Sequence, residues 1–364
     1  MAYRIPFLDL KVKNKFAFHR ALDTVMSHGQ FVLGPEVELL EERLSRYVNR
    51  KFCVAVSSGS DALLLAIRSL NLNPGDEIIT TPLSWIATGN AIVLSGAIPV
   101  FADIDESLNI DPDSIVSMIN NKTKALLTVD FTGKLCRYEE LLVICKDFGL
   151  ILIEDGSQSF GASNSSGQRC GKFGTLSAIS HNPMKVLAAF GEAGSIYTDC
   201  DELYERLKLL RYAGTVNREI CTEHSLNHRM DTINAAFLLH RLEQFENEVV
   251  ARRQANAEIY SRHLPQSVNR SPSNVQSGTH VFYTYTVLLE DRDSLIEWLA
   301  TNSIETKVQH RTLMSDQPAF RQFRRCQNAQ ATSIAQKILC LPIGEHLSES
   351  QIFYVCEKIN HFYS

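Results

Sequence analysis

Short apolar runs alternate with longer amphipathic segments from residue 52 to residue 157. FCVAVSS (52–58) reads as a strand, and SDALLLAIRSL (60–70) as a helix with apolar positions at helical spacing. NPGDEIITTP (73–82) reads as turn then strand, WIATGNAIVLSG (85–96) as helix, and IPVFADID (98–105) as strand. PDSIVSMI (112–119) continues as helix, TKALLTVDF (123–131) as strand, YEELLVICKDFG (138–149) as helix and LILIEDGS (150–157) as strand. Strands that are apolar throughout, separated by amphipathic helices, imply a mostly parallel sheet covered on both faces, a three-layer α/β/α architecture. Ligands of such sheets gather outside the carboxyl ends of the strands.

The texture changes after about residue 240. HRLEQFENEVVARRQANAEIYSRHL (240–264) reads as one long amphipathic helix leaving a first domain for a second. HVFYTYTVLL (280–289) alternates like a half-buried antiparallel strand; SLIEWLATN (294–302) and SESQIFYVCEKINHFY (348–363) read as helices on one face of that sheet. The expected division is a large domain, 1–245, and a smaller C-terminal α+β domain, 246–364. The polar segment PQSVNRSPSNVQSGTH (265–280) is expected to be the least ordered.

Composition narrows the function classes. The chain has 364 residues and a formal net charge of -5. Its basic residues are scattered, with Arg321, Arg324 and Arg325 a short cluster expected on a solvated helix face, so nucleic-acid binding is not expected. None of the nine cysteines forms a C-x-x-C pair, so no metal site is expected and the thiols are read as free and buried. MAYRIPFLDLKVKNK lacks the apolar core of a signal peptide and no apolar run could span a bilayer. The expected compartment is the cytoplasm.

Four motifs follow predicted strands. SSGSDAL (57–63) places Gly59, Ser60 and Asp61 at a helix start, either an ordinary serine cap or an anion site. PLSWIATGNAI (82–92) carries Trp85, either a core tryptophan or a flat wall for a planar ring. LILIEDGSQSFGA (150–162) ends a very apolar strand on Asp155, with Gln158 one turn later. Asp155 serves either as a helix cap or as the partner of a protonated pyridine nitrogen. SHNPMKVLAAFGEAG (180–194) carries Lys185, with Ser180 five residues before it. A lysine is ordinarily a solvated charge, but one beside a strand end can be desolvated for Schiff-base chemistry. Phosphate cradle, stacking aromatic, ring-nitrogen carboxylate and lysine together are the parts that hold pyridoxal phosphate.

These motifs make the sequence resemble the DegT/DnrJ/EryC1/StrS family of pyridoxal-phosphate sugar aminotransferases, of aspartate-aminotransferase fold type I. The resemblance runs through IPFLDL, FVLGPEVELLEERLSRYV, AVSSGSDALLLAI, GKFGTLSAISHNPMK, GEAGSIYT, LNHRMDTINAAFL and LPIGEHLSESQI. It implies that Lys185 forms the internal aldimine, Asp155 pairs with the pyridine nitrogen, Gln158 contacts the ring hydroxyl and Trp85 stacks on the ring. It further implies that Gly59, Ser60, Asp61 and Ser180 hold the phosphate. Asn227 matches an asparagine that reaches the neighbouring subunit's phosphate, implying a homodimer with shared active sites.

The implied reaction is a ping-pong transamination from L-glutamate, through pyridoxamine phosphate, to a nucleotide-linked keto-sugar. The polar segments 211–225 and 308–317 are expected to line the nucleotide groove, with His310 and Arg311 candidates for the diphosphate. The chain departs from the family in three places. Asp130 stands in VDFTG where many members have V-H-x-x-G, HNPMK replaces aromatic-x-P-[ST]-K, and GEAG replaces GEGG or GDGG. These details resemble the branch that makes 3-amino sugars for lipid A. Two rival readings share the fold: a pyridoxamine-phosphate sugar dehydratase, which would carry histidine in place of Lys185, and a non-catalytic cofactor- or sugar-binding regulator.

Overall fold

The structure, a computed structural model, describes residues 3–11, 15–271 and 278–364. Residues 272–277 of the polar segment, and 1–2 and 12–14 of the N-terminal stretch, lie outside the described residues.

In chain order the first elements are α1 (Lys15–His28), α2 (Pro35–Val48), β1 (Phe52–Val56), α3 (Gly59–Ser69), β2 (Glu77–Thr80), α4 (Ala87–Leu94) and β3 (Ile98–Phe101). Next come α5 (Pro112–Met118), β4 (Thr123–Val129), α6 (Tyr138–Phe148), β5 (Ile151–Asp155), β6 (Leu176–Ser180), β7 (Gly194–Thr198) and α7 (Asp201–Arg211). One seven-stranded sheet runs β1-β7-β6-β5-β4-β2-β3. β3, β2, β4, β5 and β6 pair in parallel, whereas β7 is antiparallel to both β6 and β1.

The alternation of strand side chains builds the layers. Cys53 and Ala55 of β1, Ile179 of β6 and Tyr197 of β7 face α2. Further along that face Ile79, Val100, Leu126 and Leu152 meet α5 and α6. Their neighbours Val54, Val56, Ile78, Ala125, Leu127, Ile153, Ala178 and Ile196 face α3, α4 and α7. Burial on both faces is why apolar residues dominate the middles of these strands, with most of the polar ones at their ends, as the expected three-layer fold requires.

A short hairpin, β8 (Thr215–Val216) and β9 (Ile220–Cys221), follows α7. The expected single helix from 240 is instead α8 (Thr232–Gln244) and α9 (Ala251–His263), joined by a π-helical stretch Phe245–Val250, where the expected domain division falls. The chain closes with β10 (Asn269–Ser271), β11 (Tyr285–Leu288), α10 (Arg292–Thr301), α11 (Ala329–Lys337), β12 (Ile338–Leu341) and α12 (Glu349–Phe362). β10, β11 and β12 form a three-stranded antiparallel sheet. Ile5 sits in the core of this second sheet, and Phe7 N–H donates to Glu305 Oε2 at 2.8 Å, so the chain start packs with the chain end. The strand expected over 280–289 is paired only at its end: Phe282 has φ 47°, and its N–H turns onto His280 Nδ1.

Two side-chain expectations need correction. Six cysteines are buried, but Cys221 and Cys326 are exposed and Cys200 is half-buried. Arg325 is not a simple solvated charge: it forks onto the buried Glu77 carboxylate at 2.5 and 2.9 Å.

His181, in the HNPMK stretch, lies fully buried between Leu187 O (3.1 Å from Nδ1) and Ser195 Oγ (2.8 Å from Nε2). Burial lowers its pKa to about 4, although the Leu187 carbonyl opposes the shift. In the unfolded chain it takes up a proton near pH 6.5. The unfolded state therefore binds the extra proton between pH 6.5 and 4, and stability falls on acidification across that window. We expect His181→Phe to remove roughly 2 kcal/mol of the stability difference between pH 7.5 and pH 5. Denaturant titration at both pH values checks this; an unchanged difference would refute it.

Candidate active site

Lys185 rides on the loop between β6 and β7, whose ends are pinned where Ser180 pairs with Gly194. His181 N–H donates to Ala193 O, Ala189 N–H to His181 O, and Lys185 N–H to Asn182 O, so the loop is tied down on both sides of the lysine. The half-buried Lys185 has no carboxylate partner among the described residues. Its Nζ lies 4.8 Å from the centroid of the Tyr283 ring, a cation–π contact.

Asp155 ends β5, next to β6 in the sheet, and is buried. Its Oδ1 accepts from Ser157 N–H (3.1 Å), and its Oδ2 lies 3.4 Å from the Thr88 hydroxyl. Thr88 is itself 3.0 Å from Ser84 Oγ. Burial raises the Asp155 pKa, against the Ser157 hydrogen bonds and the Lys185 charge. A buried carboxylate without an ion pair among the described residues suits a cationic N–H donor. Gln158, one turn on, is buried with its Oε1 accepting from Thr132 N–H at 2.9 Å.

The first turn of α3 forms the anion end. Ser58 caps the helix, its Oγ accepting from Asp61 N–H at 3.0 Å. Among the described residues the N–H groups of Gly59 and Ser60 make no hydrogen bond of this kind, as expected for the first turn of a helix. A Cβ on Gly59 would lie 2.4 Å from Ser180 Cβ, so only glycine lets α3 approach the end of β6 this closely. Asp61 is placed differently from its expected role. Its N–H serves the cap, and its carboxylate accepts from Ser57, Ser58 and His228, the last at 2.8 Å. Burial opposes ionisation of Asp61, but these bonds, His228 foremost, hold its pKa below the ordinary value.

Trp85, just before α4, is 61% exposed, which excludes the core reading. Its ring centroid is 6.3 Å from that of His310, which in turn stands 5.7 Å from Phe131. Burial, then the Lys185 and Lys307 charges, lowers the His310 pKa to about 4, so its imidazole is neutral at pH 7. Arg311 is turned away: exposed, it pairs with Asp293 at 3.1 Å. Asn227 is exposed beside His228, its Oδ1 accepting from Arg229 Nε at 2.7 Å.

A cavity of about 740 Å³ opens at Lys185 and Phe190 and runs between Leu8–Lys11, α8 and α9. Arg241 and Arg252 line it, paired to Glu345 and Glu349 respectively. Segments 211–225 and 308–317 do not border this cavity. A smaller cavity of about 370 Å³ lies beside Met184, Tyr283 and Lys307. The sequence reading passed over Thr88, Tyr283 and Thr132. Thr88 follows Trp85 by one helical turn, the only signal available for any of the three.

The groups present fit a phosphate-bearing pyridine aldehyde: an amine for the aldehyde, a buried carboxylate for a ring-nitrogen proton, and open helix N–H groups for the phosphate. That combination, at the strand ends of this sheet, is the mark of a pyridoxal-phosphate-dependent aminotransferase. The comparisons agree, and the chain belongs to the DegT/DnrJ/EryC1/StrS aminotransferase family, which matches residues 13–360. It is 32% identical over 361 residues to a Pseudomonas aeruginosa UDP-2-acetamido-2-deoxy-3-oxo-D-glucuronate aminotransferase, covering 98% of this chain and 100% of that protein. It is 31% identical over 362 residues to an Aneurinibacillus thermoaerophilus dTDP-3-amino-3,6-dideoxy-alpha-D-galactopyranose transaminase, covering 98% and 99%. The crystal structure of S. venezuelae DesV in complex with a ketimine intermediate superposes with a TM-score of 0.94 at 32% identity, covering 100% and 99%. The protein is a pyridoxal-phosphate-dependent nucleotide-sugar aminotransferase.

Proposed function

We propose that the protein transfers the amino group of L-glutamate to a UDP-linked 3-keto sugar, yielding a 3-amino sugar for lipid A or another cell-envelope glycan. The observation that carries this reading is Lys185, without an ion-pair partner among the described residues, on the lining of a cavity large enough for a nucleotide sugar. Similarity to the P. aeruginosa aminotransferase, whose name specifies a UDP-linked 3-oxo sugar, supports the acceptor class.

Pyridoxal phosphate, when bound, supplies an aldehyde that takes up the amino group and a ring that delocalises the electrons left when the donor's α-proton departs. The chain's own groups do the rest. The Lys185 amine would take the proton from the donor's α-carbon and return it to the carbon that bears the new amine. Asp155 would hold the proton of a ring nitrogen. Gln158 would orient the ring, and Trp85 would cover one face. The N–H groups of Gly59 and Ser60 and the Ser180 hydroxyl would hold a phosphate dianion. The exposed Asn227 amide reaches the phosphate of a second copy, making the active unit a cytoplasmic homodimer of subunits with a large domain, 1–245, and a small one, 246–364.

The test is direct. Protein incubated with L-glutamate and a UDP-linked 3-keto sugar is expected to release 2-oxoglutarate and give a sugar whose new amine is located at C3 by NMR. Amination of a dTDP-linked or 4-keto sugar instead would move the substrate assignment within the class. Loss of water from the sugar without glutamate consumption would replace this reading with that of a dehydratase.

A further inference from the structure

Two acidic side chains lie buried side by side behind the site. Asp130 follows β4 and Glu154 is on β5; with Cys170, each offers a ligand atom within 4.8 Å of the others, and all three residues are buried. Neither carboxylate has a lysine or arginine partner among the described residues. The other titratable groups facing Asp130 are Cys136 in the following loop, Tyr138 on α6 and Cys170 ahead of β6. None supplies a positive charge. Two anions this close, without a cation, are strongly disfavoured, so one of them keeps its proton.

The hydrogen-bond partners decide which. Glu154 accepts from three backbone N–H groups, Gly171 (2.6 Å), Phe173 (3.0 Å) and Gly174 (3.3 Å), and from Ser177 Oγ (2.7 Å). Backbone N–H groups only donate, so this cage is built for an anion. Asp130 has one such donor, Cys136 N–H at 2.9 Å. Its other two partners are hydroxyls, Tyr138 OH at 2.9 Å and Ser159 Oγ at 2.8 Å, each able to accept as well as donate. Burial first, then the Glu154 charge, raises the Asp130 pKa to about 8, in line with this partner count.

The same contacts tie Asp130 to the cofactor turn. Asp130 N–H donates to Asp155 O at 3.1 Å, and Ser159, bonded to its carboxyl, directly follows Gln158. Two residues beyond Asp130, Thr132 N–H holds the Gln158 side chain. We propose that Asp130 is kept as a neutral carboxylic acid and is a positioning residue, clamping the turn that carries Asp155 and Gln158. A histidine here, as in V-H-x-x-G, would face Glu154 and could pair with it as a cation; the aspartate meets the same charge with a proton. The positioning half of this inference rests on the proposed roles of Asp155 and Gln158; the protonation half does not.

The test uses the holoenzyme and three variants. Difference infrared spectroscopy at pH 6.5 is expected to show the carbonyl stretch of a protonated carboxyl in the wild type and its loss in Asp130→Asn. Spectrophotometric titration should give Asp130→Asn and Asp130→His a pyridoxal phosphate Kd within about threefold of wild type, whereas Asp130→Ala weakens it about tenfold. That tenfold change corresponds to roughly 1.4 kcal/mol, the size of one hydrogen bond. Rescue by asparagine and histidine, but not alanine, separates positioning from cavity filling. A protonated-carboxyl band absent from the wild type, or persisting in Asp130→Asn, overturns the protonation. Alanine binding the cofactor as tightly as asparagine overturns the positioning role, and leaves the aminotransferase reading intact.

Discussion

Lys185→Ala is expected to lower amino transfer by at least ~10³-fold and to end the fixation of cofactor to the chain by borohydride. A positioned general base contributes typically 10²–10⁴-fold, and this lysine is proposed to serve both as covalent anchor and as base. Of the basic groups near it, His310 has its pKa lowered to about 4, and Arg241 and Arg252 on the same cavity are paired to Glu345 and Glu349. Small primary amines added to the variant should restore part of the rate, because they replace the amine without the tether. The fold should tolerate the change, since the half-buried Lys185 makes a cation–π contact and, among the described residues, no ion pair. Peptide mapping after borohydride treatment checks the covalent point: cofactor still fixed to the variant chain would remove Lys185 from its role.

Asp155→Asn has the second largest expected effect. The substitution keeps size and burial but removes the charge that would hold a ring-nitrogen proton. We expect a turnover loss of ~10²-fold or more and cofactor binding about tenfold weaker, the worth of one charged hydrogen bond of roughly 1.5–3 kcal/mol. Asp155→Ala should do at least as much harm, since it also leaves Thr88 without that partner. Stopped-flow kinetics and cofactor titration separate the two effects. A kcat for Asp155→Asn equal to wild type would mean that the carboxylate does not face the ring nitrogen.

The elements that were legible are those whose pattern is local. β1 to β5 are apolar because both faces of the sheet are covered, and α3, α4 and α6 carry the matching stripe. β6 was read only as the strand end before Lys185, and β7 escaped the reading of strands, because LSAIS and GSIYT are rich in small residues, whose burial depends on the crowding of α3 against the sheet. The π-helical stretch between α8 and α9 keeps the same apolar spacing as a continuous helix, so no periodicity marks it. Of the proposed site residues, Asp155, Ser180 and Lys185 were legible as candidates because each lies at or just after a strand end. The pairing of Arg311 with Asp293 was not, since it depends on which segments pack together. Leu8–Lys11 meet α9 only because Ile5 is drawn into the second core.

The pairing of Ser180 with Gly194 has a consequence for how this enzyme can change. It closes the lysine-bearing loop into a ring of covalent chain and sheet hydrogen bonds. The entropic cost of closing such a ring grows only slowly with its length. Length is therefore not what fixes the amine: Val186, Leu187, Ala189 and Ala193 are buried in the first core, so one extra residue among them would disturb packing and carry the amine away from Asp155 together. Catalysis and folding answer here to the same few buried side chains.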